Sequence, residues 1–337
     1  MADLNPAPDD RGDGSGRGDR GQLVLITGLA LAVVLVALVL VTNTAIFTDN
    51  LATRDRGVGD TEALGYRATV IDGVGGIVER ENAAEYADRD ELTANVTAGV
   101  VRFDDAIGRT AAIRATSARV NRSSLSYVDG VLVRHRNESS GFVSAAESAD
   151  WTVATDVNRT RAFAATVDRS SLARTEAATL DDAFAVVVEG NASSDEWTAY
   201  VYENATTGHI AVAVSPVGAA GATEVCSVDA SSATVGFTTG TLAGEACAGL
   251  DWRGGVDDAY DLRFRNGTSA AGTYDLTVRG GVGAVNDAAI ADGTASDDPE
   301  SPYFVPAVYA VEATIRYETS ELEYETDIRV APGESDA

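Results

Sequence analysis

The chain has 337 residues, 52 acidic against 25 basic, and a net charge of −27; every basic residue is arginine and none is lysine. That length admits a membrane segment plus one sizeable domain or two smaller ones. The charge excludes the basic stripe that nucleic-acid binding needs, and the missing lysine excludes a Walker lysine, a Schiff base and a kinase lysine.

In chain order, residues 1–21 form a polar leader rich in Asp, Gly and Arg. Leu23 to Val41 then runs for nineteen residues without a charge. At 1.5 Å per residue this is a helix of about 28 Å, close to the roughly 30 Å hydrocarbon core of a bilayer. Residues 22–48 are therefore predicted to be a transmembrane helix, and no other stretch approaches this length. Arg11, Arg17 and Arg20 precede it and Arg54 and Arg56 follow. That bias, with the acceptor sites and cysteines described below, predicts a cytoplasmic N-terminus and an extracellular C-terminal part. The run exceeds the 7–15 residues of a secretory signal core, and no A-x-A cleavage site follows it.

Arg20-Gly21-Gln22-Leu23 ahead of an unbroken apolar helix resembles the class III signal of archaeal type IV pilin-like proteins. The resemblance implies that a prepilin peptidase cuts between Gly21 and Gln22, that the helix stays on the mature chain, and that other pilin-like subunits are partners. Many pilins carry glutamate at the fifth mature position; here it is Ile26, which points away from a major filament subunit. An uncleaved signal anchor is the alternative. The acidic, lysine-free composition resembles that of haloarchaeal proteins. Carboxylates hold water and cations in molar salt, where a Debye length of about 3 Å makes their repulsion tolerable. "NTAIFTDNLATRD" (43–55) and "IRYETSELEYETDIRVAPGE" (315–334) resemble haloarchaeal secreted families with pilin-like leaders, a resemblance that implies a location and no activity.

Residues 49–120 are predicted to form a short helical stalk or base. Gly57 and Gly59 should interrupt the helix just outside the membrane, and Asp60 should cap a second helix running to about Ala84. Its apolar stripe is read as Leu64, Ala68, Ile71, Val74 and Val78. Asp88 with Glu91 is a capping box for a third helix, with Leu92, Val96, Val100, Phe103, Ile107 and Ala111 as its stripe. The latter two helices should be antiparallel, joined near Tyr86.

From about Ser123 the apolar period becomes two, so residues 121–337 are predicted to be a β-rich extracellular domain, an antiparallel β-sandwich. "SYVDGVLV" (126–133) reads as two strands around an Asp129-Gly130 turn. "FAVVVEG", "WTAYVYE", "HIAVAVS", "TVGFTT", "YDLRFRN" and "TYDLTVRG" follow as strands. In the final pair, Tyr309, Val311, Ala313, Ile315 and Tyr317 alternate with polar residues. Across Thr319-Ser320, Leu322, Tyr324, Ile328 and Val330 alternate with charged ones.

Seven of the twelve asparagines lie in N-x-S/T acceptor sites: Asn95, Asn121, Asn137, Asn158, Asn191, Asn204 and Asn266. With Ser and Thr making up roughly a sixth of the chain, about two would do so by chance, so a glycosylated outer face is expected. Cys226 and Cys247, the only cysteines, are expected to pair in an exported domain. His135 and His209 lack a neighbouring ligand at metal spacing and read as structural. The pairs Asp104-Asp105, Asp181-Asp182, Asp257-Asp258 and Asp297-Asp298 read as solvated surface. Asp292 to Glu300 clusters oxygen ligands without EF-hand spacing, and Trp151, Trp197 and Trp252 read as core. No catalytic residue, metal site or cofactor is predicted. The expected function is that of a membrane-anchored surface glycoprotein, structural or adhesive, a candidate minor subunit of a type IV pilus-like assembly. The alternative is a monomeric anchored ligand-binding module with an uncleaved signal anchor.

Overall fold

The computed structural model describes residues 58–192, 195–250, 252, 256, 259–293 and 302–334. The predicted transmembrane helix 22–48 and the Gly21-Gln22 cleavage site lie outside the described residues. Among those residues, no helix is long and apolar enough to cross a membrane. Of the N-terminal unit, Met1–Glu62, only the first turns of a helix are described; Ala63–Ala337 forms one compact unit.

Two helices, α1 (Val58–Ala83) and α2 (Arg89–Ile113), lead into a mainly-β fold. Its strands are β1 (Ser117–Val120), β2 (Ser126–His135), β3 (Trp151–Val157), β4 (Thr160–Asp168), β5 (Arg174–Thr175), β6 (Phe184–Gly190), β7 (Glu196–Asn204), β8 (Ile210–Ser215) and β9 (Thr223–Val228). They continue with β10 (Ser232–Gly236), β11 (Thr241–Leu242), β12 (Glu245–Ala246), β13 (Tyr260–Arg265), β14 (Gly272–Arg279), β15 (Ala291–Asp292), β16 (Tyr303–Glu318) and β17 (Glu323–Val330). The larger sheet runs β1-β16-β2-β14-β4-β10-β11-β12, with β15 and β17 also paired to β16. The smaller runs β3-β13-β6-β7-β8-β9, with β5 on β7. Pairing is antiparallel except for the two-residue strands β5 and β15.

The sheets share one core. Val131 and Val133 of β2, Phe163 and Ala165 of β4 and Leu276 of β14 meet Val186 and Val188 of β6, Val212 of β8 and Phe264 of β13. Phe264 touches the rings of Trp151, Phe163, Phe184 and Tyr274 at centroid distances of 5.2–6.3 Å. Each such buried ring contributes about 2–3 kcal/mol through area removed from water. Trp151, Trp197 and Trp252 belong to this core, as expected.

The helices share a second core with the far half of β16. Val70, Val74 and Val78 of α1 and Leu92, Val96 and Val100 of α2 pack with Ala118 and Val120, Val311, Ala313 and Ile315, and Ile328 and Val330. Asp88 caps α2, its Oδ1 accepting the Glu91 amide at 2.9 Å. The α1 stripe departs from the expected one in its first half, where Ala63, Tyr66 and Val70 are buried and Leu64 and Ala68 exposed; Val74 and Val78 are buried as expected. Gly59 and Asp60 lie inside α1, which begins at Val58, so Asp60 is not its cap. A Cβ on Gly73 would come within 2.1 Å of Phe103, and one on Gly99 within 2.7 Å of Ile77. These glycines, poor helix formers in isolation, leave room for the Phe103 and Ile77 side chains of the opposite helix. Both contacts fit an antiparallel hairpin. The helical segment ends at Ile113, and β1 already belongs to the large sheet.

Asp129-Gly130 is not a turn, since β2 runs unbroken from Ser126 to His135. Its partner β16 carries a β-bulge there: Val308 pairs with Asp129 and Ala310 with Val128, leaving Tyr309 extra. A Cβ on Gly130 would lie 3.0 Å from the Tyr309 Cβ, so glycine serves close strand approach instead. Before the bulge, Tyr303, Val305 and Ala307 share a face; after it, Val311, Ala313, Ile315 and Tyr317 rejoin the face of Val308 and meet the helices. One inserted residue thus lets a single strand serve two cores.

Candidate functional site

The seven acceptor asparagines sort by what their side-chain amides already do. Asn121, exposed in the turn after β1, accepts the Ser123 amide at 3.1 Å and its hydroxyl at 2.7 Å through Oδ1. Asn137, half-buried after β2, accepts the Ser139 amide at 3.1 Å. Asn158 is exposed in the β3–β4 turn. No hydrogen bond engages Nδ2 of these three among the described residues. Asn191 is exposed and donates to Asp156 at 3.0 Å. Asn95, half-buried on α2, donates to the Glu91 carbonyl at 3.0 Å.

The remaining two are committed to the fold. Asn204 is buried; Nδ2 donates to Glu224 at 2.8 Å, and Oδ1 accepts the Thr206 and Thr207 amides. Asn266 has left-handed backbone geometry (φ 53°, ψ 42°), which asparagine tolerates better than most residues. Both Nδ2 hydrogens are used, on the carbonyls of Asp181 at 2.8 Å and Ala183 at 2.9 Å. Sequence motifs do not distinguish these two from the others, because the partners lie 20 and more than 80 residues away.

Cys226 and Cys247 form a disulfide, with Cα atoms 5.6 Å apart. Cys226 sits on β9, the last strand of the smaller sheet, and Cys247 directly follows β12, the last of the larger. The bond therefore ties the two sheets together at one edge.

His135 is fully buried, stacked on Tyr274 at 5.5 Å and edge-on to Phe142 at 5.9 Å. Among the described residues, neither ring nitrogen has a hydrogen-bond partner. Burial pushes its pKa down, offset in part by the nearby backbone of Asn137 and Ser140. His209 is half-buried just before β8.

The acidic pairs are not uniformly solvated. Asp104 is buried and accepts the Val120 amide at 2.9 Å, with Arg122 Nε at 3.0 Å and Nη2 at 2.9 Å. It fastens the start of the sheet to α2, whereas Asp105 is exposed beside the same arginine. Asp181 and Asp182 lie in the turn before β6. Asp257-Asp258, Asp297-Asp298 and most of the loop 292–300 lie outside the described residues. Among the described residues, no three His, Cys, Asp or Glu side chains converge as a metal site would require.

Arg161 was not singled out by sequence. It is 2% exposed, with Nη1 donating to the Pro332 carbonyl at 2.7 Å and Nη2 to that of Val308 at 3.0 Å. Its guanidinium lies 5.5 Å from the Tyr309 ring centroid. Burial lowers its pKa to about 10, still charged near neutrality. Asn82, at the end of α1, grips the same Val308. Asn82 of α1 and Arg161 of β4 thus converge on the backbone of Val308 beside the bulge, and Arg161 also holds the C-terminal turn at Pro332.

No protein-family model, curated protein or solved structure matches this chain.

Proposed function

We propose that this chain is a pilin-like, membrane-anchored surface glycoprotein of a haloarchaeal cell, structural or adhesive, and a minor subunit of a type IV pilus-like assembly. In this reading residues 22–48 cross the membrane, α1 and α2 form a helical base up to Ile113, and the chain from Ser117 on forms an extracellular β-sandwich. The observation that carries it is the pairing in one chain of the uncharged run Leu23–Val41 with a Cys226–Cys247 cross-link downstream. Disulfides persist in oxidising, extracytoplasmic compartments, and a nineteen-residue apolar run has the length for one crossing. The excess of acceptor asparagines supports the same orientation, with Asn121, Asn137 and Asn158 offering free amides in turns.

Protease applied to intact native cells tests the topology. The reading predicts that peptides from 121–337 are shed while the segment 22–48 stays with the membrane fraction. Protection of 121–337 until the cells are broken would contradict it. Ile26 favours the second reading, a monomeric anchored ligand-binding module, because it lacks the fifth-position carboxylate of many pilins. Crosslinking in native membranes separates the two: heteromeric products with pilin-like subunits favour assembly, and a monomer favours the module.

A further inference from the structure

The end of the α1–α2 hairpin nearest the N-terminal segment departs from the rest of the surface. Ile113 is 88% exposed and Leu64 58%, two of the three large apolar residues exposed to that degree among those described. The antiparallel contacts Gly73–Phe103 and Ile77–Gly99 place residue 64 opposite the C-terminal end of α2. Leu64 and Ile113 therefore share one end of the hairpin.

Arginines accompany them. Arg67 lies three residues from Leu64, and Arg109 four from Ile113, spacings that put each pair on one helix face. Arg114 caps α2, and Arg119 on β1 lies over Gly108 of α2, where a Cβ would meet its Nη1. All four arginines are exposed, and none takes part in an ion pair among the described residues. Two carboxylates of the adjoining β16–β17 hairpin, Glu318 and Glu323, pair with Arg316, while Glu321 and Glu325 of the same hairpin are exposed. Unpaired cations around exposed Leu and Ile, in a chain of net charge −27, call for an anionic, partly apolar partner. A second copy docked on the same patch would set arginine against arginine.

We propose that this end of the hairpin docks on the anionic headgroup layer of a lipid bilayer, with Ile113 and Leu64 entering the headgroup–acyl boundary and Arg67, Arg109, Arg114 and Arg119 meeting phosphates. The inference rests on the membrane-anchor reading. Only sixteen residues separate Val41 from Val58, a reach of at most about 55 Å. Such a tether keeps the patch near the bilayer at high effective concentration, so weak contacts suffice. In molar salt, long-range attraction is screened. Direct arginine–phosphate contact and apolar insertion then carry the docking.

The test uses the full chain reconstituted in phosphatidylglycerol or phosphatidylcholine vesicles, carrying a polarity-sensitive fluorophore at Ile113→Cys. A control chain carries it at Glu138→Cys, beyond the β2–β16 pairing of Arg134 with Tyr303. That pairing lies fifteen residues along β16 from the Ser117–Glu318 pair next to α2, roughly 50 Å. Docking predicts a blue shift and at least threefold protection from an aqueous quencher at position 113 in phosphatidylglycerol only. It also predicts no change at 138, and loss of the effect in Arg109→Glu/Arg114→Glu with the circular dichroism spectrum intact. A chain that floats with vesicles while its 113 probe stays in water overturns the docking and leaves the anchor reading standing. Equal shifts in both lipids also overturn it. So does a concentration-dependent shift without lipid, which would mark self-association. A chain that does not float overturns the anchor reading and the docking together.

Discussion

Asn82 and Val308 form a reciprocal pair: the asparagine Nδ2 donates to the Val308 carbonyl at 3.0 Å, and the Val308 amide donates back to Oδ1 at 2.9 Å. A side-chain amide at the end of α1 thus supplies both hydrogen bonds a neighbouring strand would have given. It does so beside the bulge, where the ladder between β16 and β2 skips a residue. Arg161 adds a second donor to the same carbonyl.

Asn82→Ala should therefore destabilise the fold mainly by stranding a buried amide, since Arg161 still serves the carbonyl. Leaving such a donor unsatisfied costs about 1–3 kcal/mol. Chemical unfolding in high salt checks this, with exposed Thr69→Ala expected to change stability by less than about 0.5 kcal/mol. Equal effects of the two substitutions would contradict the role given to Asn82.

The disulfide joins residues 21 apart in sequence. In the chain-entropy description, closing such a loop contributes about 3 kcal/mol. The double variant Cys226→Ala/Cys247→Ala should lose a comparable amount while keeping its β-rich circular dichroism spectrum. Non-reducing peptide mapping should show the linked peptides in the native protein, and free alkylatable thiols at both positions would refute the pairing.

Glycan occupancy should follow the sorting of the acceptor amides. Glycopeptides from native protein should carry sugar at Asn121, Asn137 and Asn158 and be bare at Asn204 and Asn266, whose Nδ2 atoms are committed. Asn266→Ala should cost about 2 kcal/mol, through two carbonyls left short of a donor and an unfavourable left-handed backbone. Full occupancy at Asn204 would show that modification precedes folding there.

Stability should depend on pH through His135. Burial lowers its pKa in the folded state from 6.5, so the unfolded chain takes up the proton first as pH falls. The contribution is complete above about pH 6.5 and declines below it, by at most about 1.4 kcal/mol per pH unit, until the folded-state pKa is reached. His135→Phe should keep the ring packing against Tyr274 and Phe142 and flatten this part of the profile. Identical slopes for the two proteins between pH 5 and 7.5 would contradict it.

Periodic features proved legible in the sequence. The Asp88 cap, the α2 stripe from Leu92 to Ala111 and the β16–β17 alternation from Val311 on are found as read, whereas Tyr309 falls at the bulge and packs with Ala310 and Ala331. What escaped depended on distant partners. The Asp129-Gly130 dipeptide carries a turn signature, yet the side chain opposing it comes from Tyr309. Leu64 fits a helical stripe, but the face actually covered is set by α2 and β16, which select Ala63 and Tyr66. Asp104 looks like one more halophilic surface acid until Arg122 and the Val120 amide close on it. The candidate site shows the same division: the motif marks seven asparagines, and only the three-dimensional neighbours separate free amides from structural ones.

The most direct test of the account is the N-terminus of the native protein recovered from membranes, determined by intact-mass and terminal-peptide analysis. The account predicts a mature chain beginning at Gln22 and retaining Leu23–Val41, and an uncut leader when Gly21 is replaced by a bulky residue. A native chain beginning at residue 1 or 2 would contradict the pilin-like reading, and one beginning beyond Val41 would make the apolar run a cleaved export signal.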